Sequence, residues 1–375
     1  MGSAASLVSE QWDDVLAWLP PDLEDLAISS GAIQRRRSVD SGSLLLRMAL
    51  VYSVLDLSLR STAAWFEGAG LGAMSDVAVL NRLRSATPFL ESLLSKLLSK
   101  RIQPTPGDFP WRLRLIDATC ISAPGNTGTE WRVHMTYDPS QSRITHVEIT
   151  DGHGGEHLGR CDAGPGELIV GDRGYHHADR ILETDDKGAQ VLLRIGHRAV
   201  RLFDASGERM DPLDCAKELF GKAGGSDRIL STLVWIEGST AKRRTARLIV
   251  IRKSREATQK ELRRLHVENR RKGRVLSDRS KEAAAYTLLL TTVVDPTIPD
   301  RDLAEVYRVR WQIELAFKRL KSLMNLDALR ARNAQLARTY LLGKLICAVL
   351  MDAIAEECRG FSPWGIPLRP TQLVA

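Results

Sequence analysis

The chain has 375 residues, enough for two or three domains with their own cores, and its 43% hydrophobic and 26% charged residues are those of a folded globular protein. No apolar run approaches the ~20 residues of a membrane span, the longest, Tyr340 to Met351, being broken by Lys344, and no secretory signal opens the sequence; a membrane partner is excluded from expectation and a cytoplasmic location is expected. A net charge of +7 and a pI near 9.2 permit a polyanionic partner without requiring one.

Met1-Gly2-Ser3-Ala4-Ala5-Ser6 matches the myristoylation pattern, but six small residues match it easily and no polybasic segment follows directly, so no lipid is expected. From there to about residue 103 the periodicity is helical. Trp12, Val15, Leu16 and Leu19 recur at helical spacing, and Ser43 to Leu57 is a second such run. Ser61 to Phe66 and Ser75 to Leu83 read as two short helices around Gly68-Ala69-Gly70, with Ser75-Asp76 starting the second. Such a pair suits helix-turn-helix DNA binding, with Asn81, Arg82 and Arg84 on or near the second helix; an ordinary helical hairpin carries the same pattern. Residues 1–103 are expected to form an all-α N-terminal domain that folds apart from the rest, with Arg82 reading base edges. Pro104-Thr105-Pro106-Gly107-Asp108-Phe109-Pro110 is the clearest linker.

After the linker the texture turns to strands. Trp111 to Ile121, Trp131 to Tyr137 and Arg143 to Thr150 are separated by turn-rich Pro124-Gly125-Asn126 and Asp138-Pro139-Ser140, which predicts an antiparallel meander. A short helix near His157, a strand Glu167 to Val170, a helix after Tyr175 and a strand Gln190 to Ile195 follow, completing a unit over 104–197. Residues 198–282 interrupt it with strands at Ile229 to Ile236 and Thr245 to Arg252 and a charged helix from Arg255 to Arg274. Between Lys242 and Lys281 stand sixteen Lys or Arg, outnumbering the acids, so phosphate-backbone contact is the favoured reading over a merely solvated face. A strand Tyr286 to Val293 resumes the core over 283–358, Asp295-Pro296 and Pro299-Asp300 open a helix, and a last helix runs from about Ala334 to Glu357; residues 359–375 read as a mobile tail. The five cysteines are scattered without zinc or redox spacing, which fits reduced thiols.

The chemistry is concentrated in the helix after Pro299. Tyr307, Arg310, Glu314 and Lys321 stand at offsets 0, 3, 7 and 14, within roughly 60° of one another on a helix. Val306, Val309, Ile313, Phe317 and Leu320 fill the adjoining arc. An acid, two cations and a phenol therefore border the apolar face, where a crevice would be, and a carboxylate flanked by phosphate-compatible cations suggests metal-assisted chemistry on a phosphodiester. Asp117, inside the apolar strand Leu113-Arg114-Leu115-Ile116-Asp117-Ala118, would be half-buried and costly without a partner or a metal. Asp172, in Gly171-Asp172-Arg173-Gly174, could on its own be a turn residue. The absence of a required His or Cys favours magnesium over zinc.

The run from Tyr307 to Lys321 resembles the Y-x2-R-x3-E-x6-K signature of DDE transposases of the insertion-sequence-four type, and Leu115-Ile116-Asp117-Ala118-Thr119 and Leu168-Ile169-Val170-Gly171-Asp172-Arg173-Gly174-Tyr175 match that family's two aspartate blocks in order. The resemblance covers roughly residues 110 to 350. It implies an α/β fold: a ribonuclease-H-like catalytic core with a largely β insertion between the second aspartate and the glutamate, preceded by the all-α N-terminal domain. It implies Asp117, Asp172 and Glu314 as catalytic metal ligands for two Mg2+ ions, with Mn2+ as a substitute, and Tyr307, Arg310 and Lys321 as contacts to phosphates of a transposon end; Arg330 and Arg332 could extend that track or form a surface charge pair. The activity implied is cut-and-paste transposition by a homodimer on double-stranded DNA, namely the element's inverted-repeat ends and the target. A nuclease or resolvase of the same fold that does not join strands, or a DNA-binding relative without catalysis, are the alternatives.

Two further features compete with bland readings. Trp235, in the inserted strand, could stack on a flipped base as an insertion tryptophan does in some relatives, although a tryptophan in an apolar strand is more often core. His153-Gly154-Gly155-Glu156-His157 fits the H-x-x-E-H zinc pattern, but that chemistry needs a helix, and Gly154-Gly155 disfavours one by about 1 kcal/mol per glycine; exposed loop histidines are expected instead.

Overall fold

The structure, a computed structural model, describes residues 12–34, 39–99, 110–122, 124–126, 128–141, 143–197, 200–223 and 228–358. Nearly all of the predicted proline linker and the whole of the predicted tail lie outside them.

Among the described residues six helices come first: α1 (Trp12–Leu16), α2 (Leu23–Ser29), α3 (Gly42–Val54), α4 (Leu59–Gly68), α5 (Asp76–Ser85) and α6 (Thr87–Ser99). Three of them start where a serine hydroxyl accepts an otherwise orphaned N–H: Ser41 from Leu44 at 3.2 Å, Ser58 from Ser61 at 3.1 Å and Ser75 from Ala78 at 3.2 Å, each cap contributing about 1 kcal/mol. The predicted helix pair around Gly68-Ala69-Gly70 is α4 and α5, which pack on one another.

This helical region is not closed by its own residues. The last helix, α13 (Ala334–Cys358), packs against α3, α5 and α6. Its Tyr340, Leu341, Leu345 and Ile346 are buried in the same core as Leu45, Phe66 and Leu90. Gly343 marks the tightest crossing: a Cβ there would collide with Ser53 Oγ and lie 3.2 Å from Ala49 O. The centre of the N-terminal helical region is thus filled in part from the other end of the chain.

Among the described residues, ten strands form one sheet. Strands β1 (Arg112–Ile121), β2 (Trp131–Asp138) and β3 (Arg143–Asp151) make the predicted antiparallel meander. Strand β4 (Glu167–Gly171) and, after helix α7 (Ala178–Asp186), strand β5 (Gln190–Ile195) continue it in parallel with β1. This is the ribonuclease-H-like half. The insertion supplies β6 (Leu202–Phe203), β7 (Arg209–Met210), β8 (Ile229–Glu237) and β9 (Arg243–Arg252), and also three helices, α8 (Pro212–Ala223), α9 (Arg255–Arg271) and α10 (Asp278–Ala283), of which sequence reading found only α9. Strand β10 (Tyr286–Thr291) pairs antiparallel with both β5 and β9, so the inserted strands prolong the core sheet, whose strand order is β3-β2-β1-β4-β5-β10-β9-β8-β6-β7.

Side chains alternate across the sheet. One face, with Leu115, Val170, Leu192, Ile249 and Leu289, packs on the N-terminal helices, α13 and the helix that follows β10. The other, with Ile116, Ile169, Val191, Leu193 and Leu290, packs on Ile181 of α7 and on Ala216 and Phe220 of α8.

Candidate active site

Leu115 of β1 is in register with Val170 of the parallel strand β4. Two residues beyond that pair on each strand stand Asp117 and Asp172, so both lie at one level on neighbouring strands, which are spaced about 4.8 Å apart. Asp172 follows the last residue of β4, and its Oδ1 accepts the Gly174 N–H at 2.8 Å, heading the single helical turn Arg173–Tyr175. Asp172 is thus a turn residue, and its turn role leaves it level with Asp117. Asp117 accepts the Ala118 N–H at 2.8 Å and is mostly buried, with 19% of its side chain exposed.

The signature segment is two helices. α11 (Asp300–Val309) ends at Arg310 and α12 (Trp311–Met324) begins after it. Around Arg310 the chain tightens to three-residue hydrogen bonds, Arg310 N–H to Tyr307 O and Ile313 N–H to Arg310 O, both 3.2 Å. The single continuous helix assumed from the residue spacing is corrected to this pair, divided at Arg310. Ile313, Phe317 and Leu320 of α12 are buried on the Leu115 face of the sheet, which brings Glu314 to the Asp117 side.

Arg310 is the hub. Its guanidinium is ion-paired with Glu314 and lies 3.8 Å from Asp117 Oδ2. Its central carbon is 5.9 Å from the centre of the Tyr307 ring, whose phenol is pushed up by burial, Arg310 acting against the shift. Burial pushes Asp117 up to about 7; Asp172 and Glu156 act in the same direction, against the Ala118 hydrogen bond and Arg310. Tyr307, Arg310 and Glu314 are thus brought together with Asp117 and Asp172. Lys321 is half-buried two turns beyond Glu314.

The other predicted contact residues lie elsewhere. Arg82 is half-buried on α5, while Asn81 is exposed and Arg84 donates to Gln335 Oε1 at 3.0 Å, at the start of α13. Trp235 on β8 is 40% exposed and shares a sheet face with Asp117, but five strand spacings, about 24 Å, separate the two strands. Arg330 is held by Asp56, with 3.0 Å to its carboxylate and 2.6 Å to its carbonyl.

Sequence reasoning passed over three cations and a tryptophan beside the site. Arg173, next to Asp172, reaches a cleft of about 100 Å3 that Glu261 also lines. Arg194 points to the Asp117 face from inside β5, and its Nε is buried with no acceptor among the described residues. Lys253 is held below the ordinary lysine range by burial, with Arg194, Arg173 and Arg264 adding to it. Glu261, the acid among them, is pulled down to about 2, chiefly by its hydrogen bond from Arg264. Arg194 was findable by the logic that found Asp117, as a charge inside an apolar strand. Trp311, adjacent to Arg310, is 53% exposed.

The sequence pattern of the Transposase DDE domain family matches residues 109–350. The chain belongs to the DDE transposase family. It is 38% identical to the putative transposase InsL for insertion sequence element IS186A of Escherichia coli (strain K12), over 94% of this chain and 96% of that one. The transposase for insertion sequence element IS421 of Escherichia coli is equally similar, 38% over the same shares. The transposase for insertion sequence element IS231F of Bacillus thuringiensis subsp. israelensis is 24% identical over 66% of this chain and 57% of its own. A DDE transposase is a DNA-cleaving enzyme, and the family implies dependence on a divalent metal. The carboxylates fit such an ion in kind: they are hard oxygen donors, and Asp117 and Asp172 repel one another at close range, which a cation would relieve. As placed, no three His, Cys, Asp or Glu among the described residues could hold one ion, and Glu314 is drawn to Arg310 instead. No helix among the described residues is long and apolar enough to cross a membrane.

Proposed function

We propose that this transposase cuts its own element free at inverted-repeat ends and joins the ends to target DNA, with Asp117, Asp172 and Glu314 as the catalytic carboxylates. The observation that carries the reading is that Asp117 and Asp172 stand at one level on two parallel core strands while Arg310 faces both Asp117 and Glu314. Two Mg2+ ions, or Mn2+ in their place, would be held by the three carboxylates and would supply an activated attacking oxygen and a stabilised leaving 3′ oxygen. For that, Arg310 leaves Glu314 and Asp117 and pairs with a phosphate, a partner suited to its planar fork. Lys321, Arg173 and Arg194 hold neighbouring phosphates, and the Tyr307 hydroxyl donates to one of them. Trp235, on its distant strand, serves a base or a partner chain rather than the acids of its own chain. The basic insertion adds sequence-independent attraction to double-stranded DNA. A homodimer pairing two ends, in a bacterial-type cytoplasm, completes the proposal.

The test is cleavage and joining of a labelled end, beside a gel shift. Asp117→Ala, Asp172→Ala and Glu314→Ala should each abolish Mg2+-dependent cleavage while sparing end binding. Wild-type-like cleavage by any one of them removes that residue from the site, and cleavage by the wild type without joining of a 3′ end makes the protein a nuclease.

A further inference from the structure

We infer that Glu156 is a fourth carboxylate of the catalytic centre, an added oxygen donor on the Asp172 side for the divalent cation; the inference rests on the site reading above. Glu156 lies in the connection between β3 and β4, within the stretch that superficially fits a zinc pattern. That stretch is not helical: His157 is extended, at φ −158° and ψ 155°. Its backbone is held just ahead of Glu156. Arg132 Nη1 donates to Gly154 O at 3.0 Å, Arg160 Nε donates to Gly155 O at 2.7 Å, and the Gly154 N–H returns to Asp151. The connection so held turns Glu156 toward the end of β4.

There the carboxylate fills the space above Gly174. A Cβ at position 174 would collide with Glu156 Oε2 and would lie 3.3 Å from Asp172 Oδ1. Gly174 has no positive φ, so its backbone conformation does not call for glycine. What a side chain there would take away is the room in which the two carboxylates approach each other. The electrostatics agree with the geometry. Glu156 is raised by burial and by Asp172, against Arg132; Asp117 is raised in part by Glu156; and the Tyr175 phenol is raised by burial and then by Asp117, Glu156 and Asp172. Three acids thus share one field next to a loop anchored by two arginines. Hard oxygens gathered against their own repulsion are what a divalent cation stabilises.

The experiment measures Mn2+ binding to the full-length protein without DNA, by electron paramagnetic resonance, alongside the Mg2+ dependence of end cleavage. Glu156→Gln keeps the shape and removes the charge; Gly174→Ala displaces the carboxylate. Both should weaken Mn2+ binding by about ten-fold or more and raise the Mg2+ needed for cleavage, while gel-shift affinity for the end stays unchanged. Without metal, Glu156→Gln should melt no lower than the wild type, since it loses a like charge beside Asp172. Wild-type Mn2+ affinity in Glu156→Gln, or a loss of folding stability in place of a loss of metal affinity, overturns the inference. Asp172→Asn run in parallel separates the two levels: if it loses the metal while Glu156→Gln keeps it, only Glu156 leaves the site; if it too keeps the metal, the carboxylate site itself is wrong.

Discussion

At the scale of single residues, the acids of the site are stored in an unfavourable state. Asp117 holds its proton up to about 7, whereas an unfolded chain releases it near pH 4. The sign follows from proton counting. Between those two pH values the native state binds a proton that the unfolded state has lost, so metal-free stability falls as pH rises through this window and stays low above it. Removing the charge should reverse this. We predict that Asp117→Asn is more stable than the wild type above pH 7 without metal, by at most about 4 kcal/mol and less after allowance for partial exposure, and equal to it near pH 4. Urea midpoints across pH would show it, and Mg2+ should narrow the gap. A variant that is less stable at pH 8 would mean that Asp117 contributes more through Arg310 than it loses to Asp172. Arg310 itself explains how the metal-free state persists: it neutralises Glu314 and part of Asp117 until a phosphate competes for it.

At the scale of elements, the insertion and the signature helices are one mechanical unit. Arg247, on β9 and only 6% exposed, donates to Ile298 O at 2.8 Å, to Asp300 Oδ1 at 3.2 Å and to Asp295 O. It fixes the loop that launches α11, and through α11 it fixes Tyr307 and Arg310. Arg247→Ala would strand two carbonyls and a carboxylate, a loss of about 2–5 kcal/mol, and should lower end cleavage with it. An unchanged melting temperature would mean that the loop is held by other contacts. Much at this scale was legible in the sequence. The three meander strands, the Ser75 start of α5 and the charged helix α9 fall where periodicity, caps and turn residues place them, because those signals are local. The break at Arg310 was not legible, since no Gly or Pro marks it and only the three-residue hydrogen bonds on either side of Arg310 reveal it.

At the scale of the whole molecule, the helical region depends on α13. Tyr340 donates to Asp56 and to Ala328 O at 3.1 Å, and Lys344, fully buried, donates to Asn325 O at 2.7 Å, where α12 ends. One buried polar network therefore links the N-terminal helices, the end of the Glu314 helix and α13. A fragment of residues 1–105 should accordingly fail to unfold cooperatively when followed by circular dichroism, and should gain a transition when a segment of residues 334–358 is joined to it. Cooperative unfolding of the fragment alone would restore the view of an independent N-terminal domain.

The sequence by itself determined the strand and helix faces, because these are written in local spacing, period two around Asp117 and a helical stripe from Tyr307 to Lys321, and it determined the family through the resemblance of its signature helix and aspartate blocks. Only the tertiary structure decided that the insertion prolongs the core sheet, that α13 completes the N-terminal helices, that Arg310 sits between Glu314 and Asp117, and that Glu156 stands over Gly174 beside Asp172. The physical reason is common to all four. Each joins segments far apart in the chain, and such pairings are selected by the packing of whole faces and the cost of burying charge, neither of which leaves a mark on the neighbouring residues.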